Sequence, residues 1–174
     1  MIKFEKVSFE QFCRDFIELT GNDPQSIGID EKAIREIYDS IQLPKRSTSQ
    51  AAGYDFYSPY FCQVQTGCDA HILTGVRAVM DSEYVLMIYP RSSLGIKYGV
   101  TLANSTGVID ADYAKARNEG HIHIVLTAKE SPIKHFITFA QGDRIAQGVF
   151  LKFFTTDDDT ADGQRTGGIG STGN

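Results

Sequence analysis

The sequence is poor in the features that mark exported, membrane and nucleic-acid-binding proteins. Its three cysteines, Cys13, Cys62 and Cys68, are odd in number, lack metal-ligand spacing and follow no apolar segment of the secretory type. No apolar run approaches the roughly 20 residues that a membrane helix needs. Lys and Arg number 17 against 22 Asp and Glu, and the net charge of −5 disfavours a nucleic-acid polymer as ligand. We therefore expect a soluble, cytoplasmic protein with reduced thiols, no membrane contact and no nucleic-acid polymer as partner.

The first 42 residues predict a short strand followed by two amphipathic helices. Ser8 and Gln11 have the spacing of a capping box, and the side chain of Asp30 is placed to cap a second helix. Apolar residues then recur on one face of each helix. They are Phe9, Phe12, Cys13, Phe16 and Ile17 in the first helix and Ile34, Ile37, Tyr38 and Ile41 in the second. Such stripes favour packing on the protein's own core, or on a sister subunit, over a dedicated site for another protein.

Residues 43–154 predict an all-β domain. Short segments rich in β-branched and aromatic residues alternate with Gly, Pro, Asp and Asn at the intervals typical of sandwiches and barrels. The clearest are YDFYS (54–58), YVLMIY (84–89), HIHIVLT (121–127), FITFA (136–140) and GVFLKFF (148–154). We interpret the acidic residues 155–164 as a solvated linker and residues 165–174 as a glycine-rich tail.

The segment Pro90-Arg91-Ser92-Ser93-Leu94-Gly95 directly follows a predicted strand. One interpretation is a plain turn, in which proline ends the strand and glycine adopts a backbone conformation that other residues avoid. The other is a phosphate site, because an arginine can bind two phosphate oxygens at once and two hydroxyls stand beside it. The residues alone do not decide between them.

The segment Val108-Ile109-Asp110-Ala111-Asp112-Tyr113 predicts a hairpin from which Asp110 and Asp112 project together. Three interpretations are open: the aspartates cap turns, they bind calcium or magnesium, or one of them orients a water for attack on phosphorus. An aromatic ring three residues after Asp110 is placed to stack on a sugar.

Three further segments contain residues suited to binding. Asp143 and Arg144 predict an ion pair at a strand start, and Gln147 offers an amide donor to a phosphate. His121 and His123 share one face of a strand, but no Cys or carboxylate stands at supporting spacing, so we do not predict a metal site there. The tail, RTGGIGSTGN, combines one arginine with hydroxyls and glycine N–H groups, as a phosphate clamp would.

Five of these segments resemble, in order, the five motifs of the trimeric deoxyuridine triphosphatases (dUTPases). They are Ala52-Gly53-Tyr54-Asp55-Phe56, then PRSSLG, GVIDADY, GDRIAQ and the terminal RTGGIGSTG. The resemblance implies a homotrimer of jelly-roll-like β subunits, in which three chains build each active site. The last motif would close over the nucleotide of a neighbouring chain.

The resemblance also implies a role for individual residues. Asp110 would position the water that attacks the α-phosphorus of dUTP, giving dUMP and pyrophosphate. Tyr113 would pack beneath the deoxyribose, and a magnesium ion on the triphosphate would contact Asp55 through water only. The uracil would be recognised by Asn104 and by the backbone of Gly107, Val108 and Ile109, and His123 would be a further substrate-binding position. The phosphates would be held by Arg91, Ser92, Ser93, Gln147 and Arg165, with Gly168, Ile169, Gly170, Ser171 and Thr172 of the tail.

Residues 1–42 and the insert 114–119 lie outside the family pattern. They leave open a different role, a nucleotide-gated binding protein that contacts a partner through one of these segments. A second alternative is dCTP deaminase, which shares the subunit fold and needs a glutamate in the strand after the third motif. Val125 stands at that position here, and Glu119 of the insert is the glutamate that keeps this alternative open.

Overall fold

The computed structural model describes residues 1–20, 30–130, 135–163, 165 and 167, and it is mostly β. The strands are β1 (Ile2–Lys6), β2 (Lys45–Arg46), β3 (Tyr54–Tyr57), β4 (Cys62–Gln65), β5 (Asp69–Leu73), β6 (Val76–Met80), β7 (Tyr84–Pro90), β8 (Val100–Leu102), β9 (Gly107–Asp110), β10 (His123–Ala128), β11 (Phe136–Phe139) and β12 (Arg144–Lys152). The helices are α1 (Phe9–Thr20), α2 (Glu31–Ser40), α3 (Ser92–Tyr98) and a 3₁₀ helix (Ala111–Lys115). No helix within these residues is long and apolar enough to cross a membrane.

The strands form antiparallel sheets. The largest has the order β2-β3-β12-β7-β9, a second has the order β5-β10-β8, and two pairs, β1-β6 and β11-β4, complete the set. Side chains alternate in exposure along β10 and β6, as expected for strands with one face in the core. Residues 43–154 are mostly β, as predicted, although α3 and the 3₁₀ helix lie among the strands.

The two N-terminal helices begin where their caps predict. The Ser8 hydroxyl accepts a hydrogen bond from the Gln11 N–H at 3.1 Å, and the Asp30 carboxylate accepts one from the Ala33 N–H at 2.7 Å. Their apolar stripes face the protein's own core, as predicted, with Phe12 and Ile34 buried. Ile17 is the exception.

The Ile17 side chain is 42% exposed, so its assignment to the buried stripe is wrong. It lies roughly 80° around the helix from Phe9, at the edge of the stripe. An amphipathic helix shields the centre of its apolar face first, and its edge is left to solvent.

The N-terminal segment shares one hydrophobic core with the β sheets. Phe4 of β1 packs its ring 5.6 Å from that of Phe56 and 5.3 Å from that of Phe150, each distance measured between ring centroids. Val7 and Ile41 are buried in the same cluster. Removing residues 1–41 would therefore remove core, so such a deletion cannot separate a binding role from folding.

The insert 114–119 is tied to helix α1. Glu119 accepts hydrogen bonds from the Ser8 N–H at 2.7 Å and from the Ser8 hydroxyl at 2.6 Å. In a capping box the residue at the Gln11 position would bind the Ser8 N–H, but the Gln11 amide donates to Asp15 instead. Glu119 thus supplies the second half of the cap, although it is 111 residues away in sequence. The N-terminal segment 1–42 and the insert 114–119, which both lie outside the family pattern, therefore bind each other.

Candidate active site

A cavity of about 600 Å³ opens between the β8–β9 turn, the 3₁₀ helix and the first half of β10. Its lining includes every residue that the resemblance assigns to the base, the sugar and catalysis, and also Arg165, which it assigns to the phosphates. They are Asn104, Gly107, Val108, Ile109, Asp110, Tyr113, His123 and Arg165, together with Val125 and apolar side chains. The fold thus gathers residues 104–123 and Arg165 around one space.

Asp110 is the last residue of β9, and its side chain is half-exposed. Arg165 lies against it, with Nη2 2.5 Å from Asp110 Oδ2 and Nε 3.0 Å from Asp112 Oδ1. The Arg165 guanidinium carbon also lies 5.5 Å from the centre of the Tyr113 ring. The two aspartates project together, as predicted, and in this chain they share one arginine. The predicted hairpin is wrong, because β9 pairs with β7 and a 3₁₀ helix begins at Ala111.

Tyr113 forms a wall of the cavity and is itself buried. Its hydroxyl donates to the His121 carbonyl at 2.9 Å and accepts from the Asn118 amide at 2.8 Å. Burial raises the pKa of Tyr113 above its ordinary value. The hydroxyl is thus held by the insert while the ring remains at the cavity.

Gly120 closes the loop that carries the insert. Its φ is +75°, and a Cβ there would lie 2.7 Å from the Ala114 Cα and 2.8 Å from the Tyr113 carbonyl oxygen. Both neighbours are backbone atoms that have no rotamer to adjust. Only glycine lets the chain return this closely to the Tyr113 turn.

The candidate phosphate residues form a second group at the far end of β7. The Asp55 carboxylate pairs with Arg91 Nε at 3.0 Å and with Arg144 Nη1 at 3.3 Å, and it accepts a hydrogen bond from the Ser47 hydroxyl at 2.8 Å. The Gln147 amide donates to the Pro90 carbonyl at 3.2 Å. Arg91, Arg144 and Asp143 border a separate cavity of about 460 Å³.

The segment after β7 is a helix, not the tight turn of the plain interpretation. β7 does end at Pro90, and Arg91 is the N-cap of α3, so Ser92 and Ser93 open a helix. The residue with a left-handed conformation is Gly99, with φ of 65°, whereas Gly95 lies inside the helix. The N–H of Gly99 donates to the carbonyls of Leu94 and Gly95 and so ends the helix. The glycine that ends the segment is therefore four residues later than the predicted Gly95.

The predicted ion pair between Asp143 and Arg144 is also wrong. Arg144 pairs with Asp55, and the Asp143 carboxylate accepts from the Ala140 N–H at 2.7 Å. Successive side chains of extended backbone point to opposite faces, so neighbours at a strand start diverge.

The two groups of candidate residues lie far apart within one chain. Asp110 is paired opposite Val85 near the start of β7, while Arg91 follows Pro90 at its end. Six residues at about 3.3 Å each put roughly 20 Å between these positions. The structure therefore does not bring Arg91, Ser92, Ser93 and Gln147 to the cavity of Asp110 within one chain. Gly168, Ile169, Gly170, Ser171 and Thr172 lie outside the described residues.

Sequence reasoning missed a cluster that joins α1 to β10. Asp15 Oδ2 lies 2.5 Å from His121 Nδ1 and 3.6 Å from His123 Nε2, and His71 Nε2 lies 3.0 Å from His123 Nδ1. Asp15, His121 and His123 are spaced closely enough to share a metal ion, although the sequence offers no carboxylate near the histidines. Asp15 is 106 residues from His121, and no spacing rule connects positions so distant.

The deaminase alternative needs a glutamate at the cavity, and the structure does not place one there among the described lining residues. Val125 lines the cavity, but Glu119 is bound to Ser8 at the start of α1. Among the described lining residues of the cavity, Asp110 is the only carboxylate. The cavity therefore has a group to orient a water and, among these residues, no glutamate to shuttle protons to a base.

Comparison with known proteins agrees with this chemistry. The dUTPase family model matches residues 39–173. A deoxyuridine 5'-triphosphate nucleotidohydrolase of Lactococcus lactis is 40% identical over 139 residues, which cover 76% of this chain and 89% of the relative. The crystal structure of the Streptococcus mutans dUTPase superposes with a TM-score of 0.61 at 38% identity, covering 68% of this chain and 91% of that one.

A more distant likeness shows the fold alone. A mutant dUTPase from phage phi11 of Staphylococcus aureus, whose structure shows the coordination of a structural Mg(II) ion, has a TM-score of 0.59 at 21% identity. The superposition covers 74% of this chain and 95% of that one.

The fold and the cavity together define an enzyme that hydrolyses a nucleotide. The family match narrows this class: the chain belongs to the dUTPase family, and it hydrolyses dUTP.

Proposed function

We propose that the chain converts dUTP to dUMP and pyrophosphate by attack of a water that Asp110 orients toward the α-phosphorus. The observation that carries this mechanism is the single carboxylate in the described lining of the cavity, next to Tyr113 and Asn104. Phosphoryl transfer needs little covalent chemistry from the protein, so one base that aligns and deprotonates water, with donors for the phosphates, is sufficient.

The base and sugar lie, in this proposal, between the β8–β9 turn and β10. The amide of Asn104 offers one donor and one acceptor, which match the donor and acceptor groups on the uracil edge. The backbone of Gly107, Val108 and Ile109 and the edge of β10 at His123 complete the contacts. The Tyr113 ring lies beneath the deoxyribose and leaves no room for a ribose 2′-hydroxyl.

The phosphates are held by a neighbouring chain, and we propose a homotrimer of jelly-roll-like subunits with shared sites. The separation of roughly 20 Å between Asp110 and Arg91 supports this arrangement, because one triphosphate cannot contact both within one chain. Val108 and Phe154 are exposed apolar side chains, at 58% and 89%, that subunit contacts would cover. Arg91, Ser92, Ser93 and Gln147 then come from one subunit and Asp110 from another.

The tail closes the site in this proposal. Arg165, with Gly168, Ile169, Gly170, Ser171 and Thr172, binds the terminal phosphates and excludes bulk water. The ion pairs of Arg165 with Asp110 and Asp112 support a role at the site, since the cation already lies beside the catalytic carboxylate.

A magnesium ion that is bound by the triphosphate fits this site. Both oxygens of Asp55 are engaged by Arg91, Arg144 and Ser47, so direct coordination by this carboxylate would break ion pairs, whereas contact through a water would not. A bound magnesium ion supplies positive charge that offsets the repulsion between phosphate oxygens and attacking water. Asp55 and its two arginines would hold the hydrated phosphate end in place.

The test is an assay of pyrophosphate release from each deoxynucleoside triphosphate in the presence of magnesium. We expect release from dUTP at a kcat/KM about 10²-fold or more above that for dCTP and dTTP, because only uracil fits the contacts described. Ammonia release from dCTP would contradict the proposal and favour the deaminase.

The partner-binding alternative gains no support here, because the N-terminal helices and the insert bind each other and the core.

A further inference from the structure

The cluster of Asp15, His71, His121 and His123 connects the N-terminal helix to the substrate cavity. It borders a second cavity, of about 560 Å³, on the α1 side of β10, where Asp15, Glu18, His71 and His123 form part of the lining. His123 also lines the cavity of Asp110. It is therefore the residue through which α1 can act on the substrate.

Hydrogen bonds fix the protonation of His121. The Gly75 N–H donates to His121 Nε2 at 2.8 Å, so this nitrogen is unprotonated and Nδ1 carries the proton. Nδ1 donates that proton to Asp15 Oδ2 at 2.5 Å. A metal ion on Nδ1 would force the proton onto Nε2, against the Gly75 N–H. The cluster is therefore a hydrogen-bonded chain of side chains, not a metal site.

The side chain of His123 is clamped by its neighbours. Its Nδ1 is paired with His71 Nε2 at 3.0 Å, and its Nε2 is buried, lacks a hydrogen-bond partner among the described residues and lies 3.6 Å from Asp15 Oδ2. The His121 ring stands at 89° to the His123 ring, with centroids 4.5 Å apart. Burial alone would raise the pKa of Asp15, but the hydrogen bonds from His121 and Gln11, together with the nearby His123 ring, outweigh it and hold that pKa below its ordinary value. Asp15 is thus a fixed negative charge beside the imidazole.

The main chain of His123 lies on the edge of β10 that faces the substrate. β8 ends at Leu102, opposite Leu126, and the Ala103 N–H donates to the Val125 carbonyl at 2.9 Å. Backbone groups two residues apart on a strand point to the same side, so the N–H and C=O of His123 point to the side of Val125. Past the end of β8, that side is the cavity of Asp110, which residues 122–125 line.

We propose that Asp15 and His71 are positioning residues for substrate specificity: by clamping the His123 imidazole, they fix the strand edge against which the pyrimidine lies. Neither residue touches the substrate. The inference rests on the proposed function, since it assumes that the base lies in the cavity of Asp110. It assigns the N-terminal helix a part in recognition of the base.

The test compares His71→Ala, His71→Gln and Asp15→Asn with the unaltered protein. His71 is exposed on β5, so its removal spares the core. We expect His71→Ala and Asp15→Asn to raise the KM for dUTP about three- to tenfold, the effect of one lost hydrogen bond, with kcat within about twofold. The amide of His71→Gln keeps a donor near the place of Nε2, so this variant should restore most of the KM.

Ser8→Ala is the matched control. It removes the hydroxyl that caps the same helix and donates to Glu119, leaves the Ser8 N–H bond to Glu119 in place, and touches neither His71 nor His123. We expect a lower melting temperature with an unchanged KM, which separates positioning of His123 from general docking of α1. If Ser8→Ala raises the KM as much as Asp15→Asn does, the inference is wrong.

Three other results would also overturn the inference. If His71→Ala and Asp15→Asn hydrolyse dUTP with the original KM, the clamp has no role while the proposed function stands; if the unaltered protein releases no pyrophosphate from dUTP, both fail. Retention of one zinc ion per chain that is lost in His71→Ala or Asp15→Asn would show that the cluster binds metal instead.

Discussion

At the residue scale, Asp110 and Arg165 pose a chemical conflict. The Asp110 oxygen that pairs with the Arg165 guanidinium is occupied and cannot hold a water at the same time. Arg165 bridges Asp110 and Asp112 in this chain. A nucleotide triphosphate offers Arg165 more negative charge than two aspartates do, so we expect substrate to draw the arginine away and free Asp110 for its water.

Asp110→Asn tests the catalytic role directly. The amide still holds a water but cannot accept its proton, so we expect kcat to fall by roughly 10² to 10⁴ with little change in nucleotide affinity. Steady-state pyrophosphate release and a binding titration with a non-hydrolysable analogue give the two quantities. Asp112→Asn is the control, since Asp112 also pairs with Arg165 but does not line the cavity. Near-normal kcat in Asp110→Asn would remove Asp110 from the mechanism.

At the scale of elements, the loop that carries the insert depends on Gly120. We expect Gly120→Ala to destabilise the protein by about 1–3 kcal/mol, because the new Cβ meets backbone and the left-handed φ is strained. The Tyr113 turn lies in contact with this position, so kcat/KM should fall as well.

The control is Gly163→Ala, where an added Cβ meets nothing within 4 Å. Urea unfolding should leave its midpoint unchanged while that of Gly120→Ala moves to lower urea. Equal midpoints for the two variants would mean that the loop tolerates a side chain at position 120.

The contact between α1 and β10 makes stability depend on pH. Burial lowers the pKa of His121 below 6.5, against the opposing hydrogen bond to Asp15, and burial with the neighbouring His123 lowers that of His71. Near pH 6.5 the unfolded chain therefore binds protons that the folded chain does not bind. Stability is full above that pH and falls as the pH drops below it.

Urea midpoints at pH 7 and pH 5 measure this effect. We expect the free energy of unfolding to decrease by at most about 1.4 kcal/mol per pH unit for one histidine. In His121→Asn a side-chain amide donor remains for Asp15 but does not titrate, so the decrease should be smaller. A midpoint that rises from pH 7 to pH 5 would contradict the assignment.

At the scale of the whole molecule, the wide separation of Asp110 and Arg91 predicts complementation between chains. Asp110→Asn and Arg91→Ala should each be nearly inactive alone. Co-expressed in equal amounts, they should recover activity, because some sites combine an intact Asp110 from one chain with an intact Arg91 from another. Random assembly gives about one quarter of the sites both residues.

The control is the double variant, Asp110→Asn with Arg91→Ala, co-expressed with either single variant. One of the two positions is then altered in every chain, so no site can be complete and no activity should return. If the two single variants fail to complement while each remains folded, one chain builds the whole site and the shared-site proposal is wrong.

Much of the fold and the chemistry could be predicted from sequence because it is local. The strand β7 ends at Pro90, Asp30 caps α2, and Asp110 stands three residues before Tyr113, where β9 gives way to the 3₁₀ helix. These features depend on neighbours within a few residues. At that distance the alternation of apolar residues, helix caps and turn residues appears directly in the sequence.

Contacts between distant segments were decided only by the tertiary structure. Glu119 completes the cap of Ser8, Asp15 meets two histidines of β10 and the residues before it, and Arg144 pairs with Asp55 rather than with its neighbour Asp143. Such partners are selected by which surfaces the core brings together, a property of the packed chain as a whole. The sequence determined by itself the local elements and the candidate groups for the chemistry, and tertiary packing decided which distant residues lie against them.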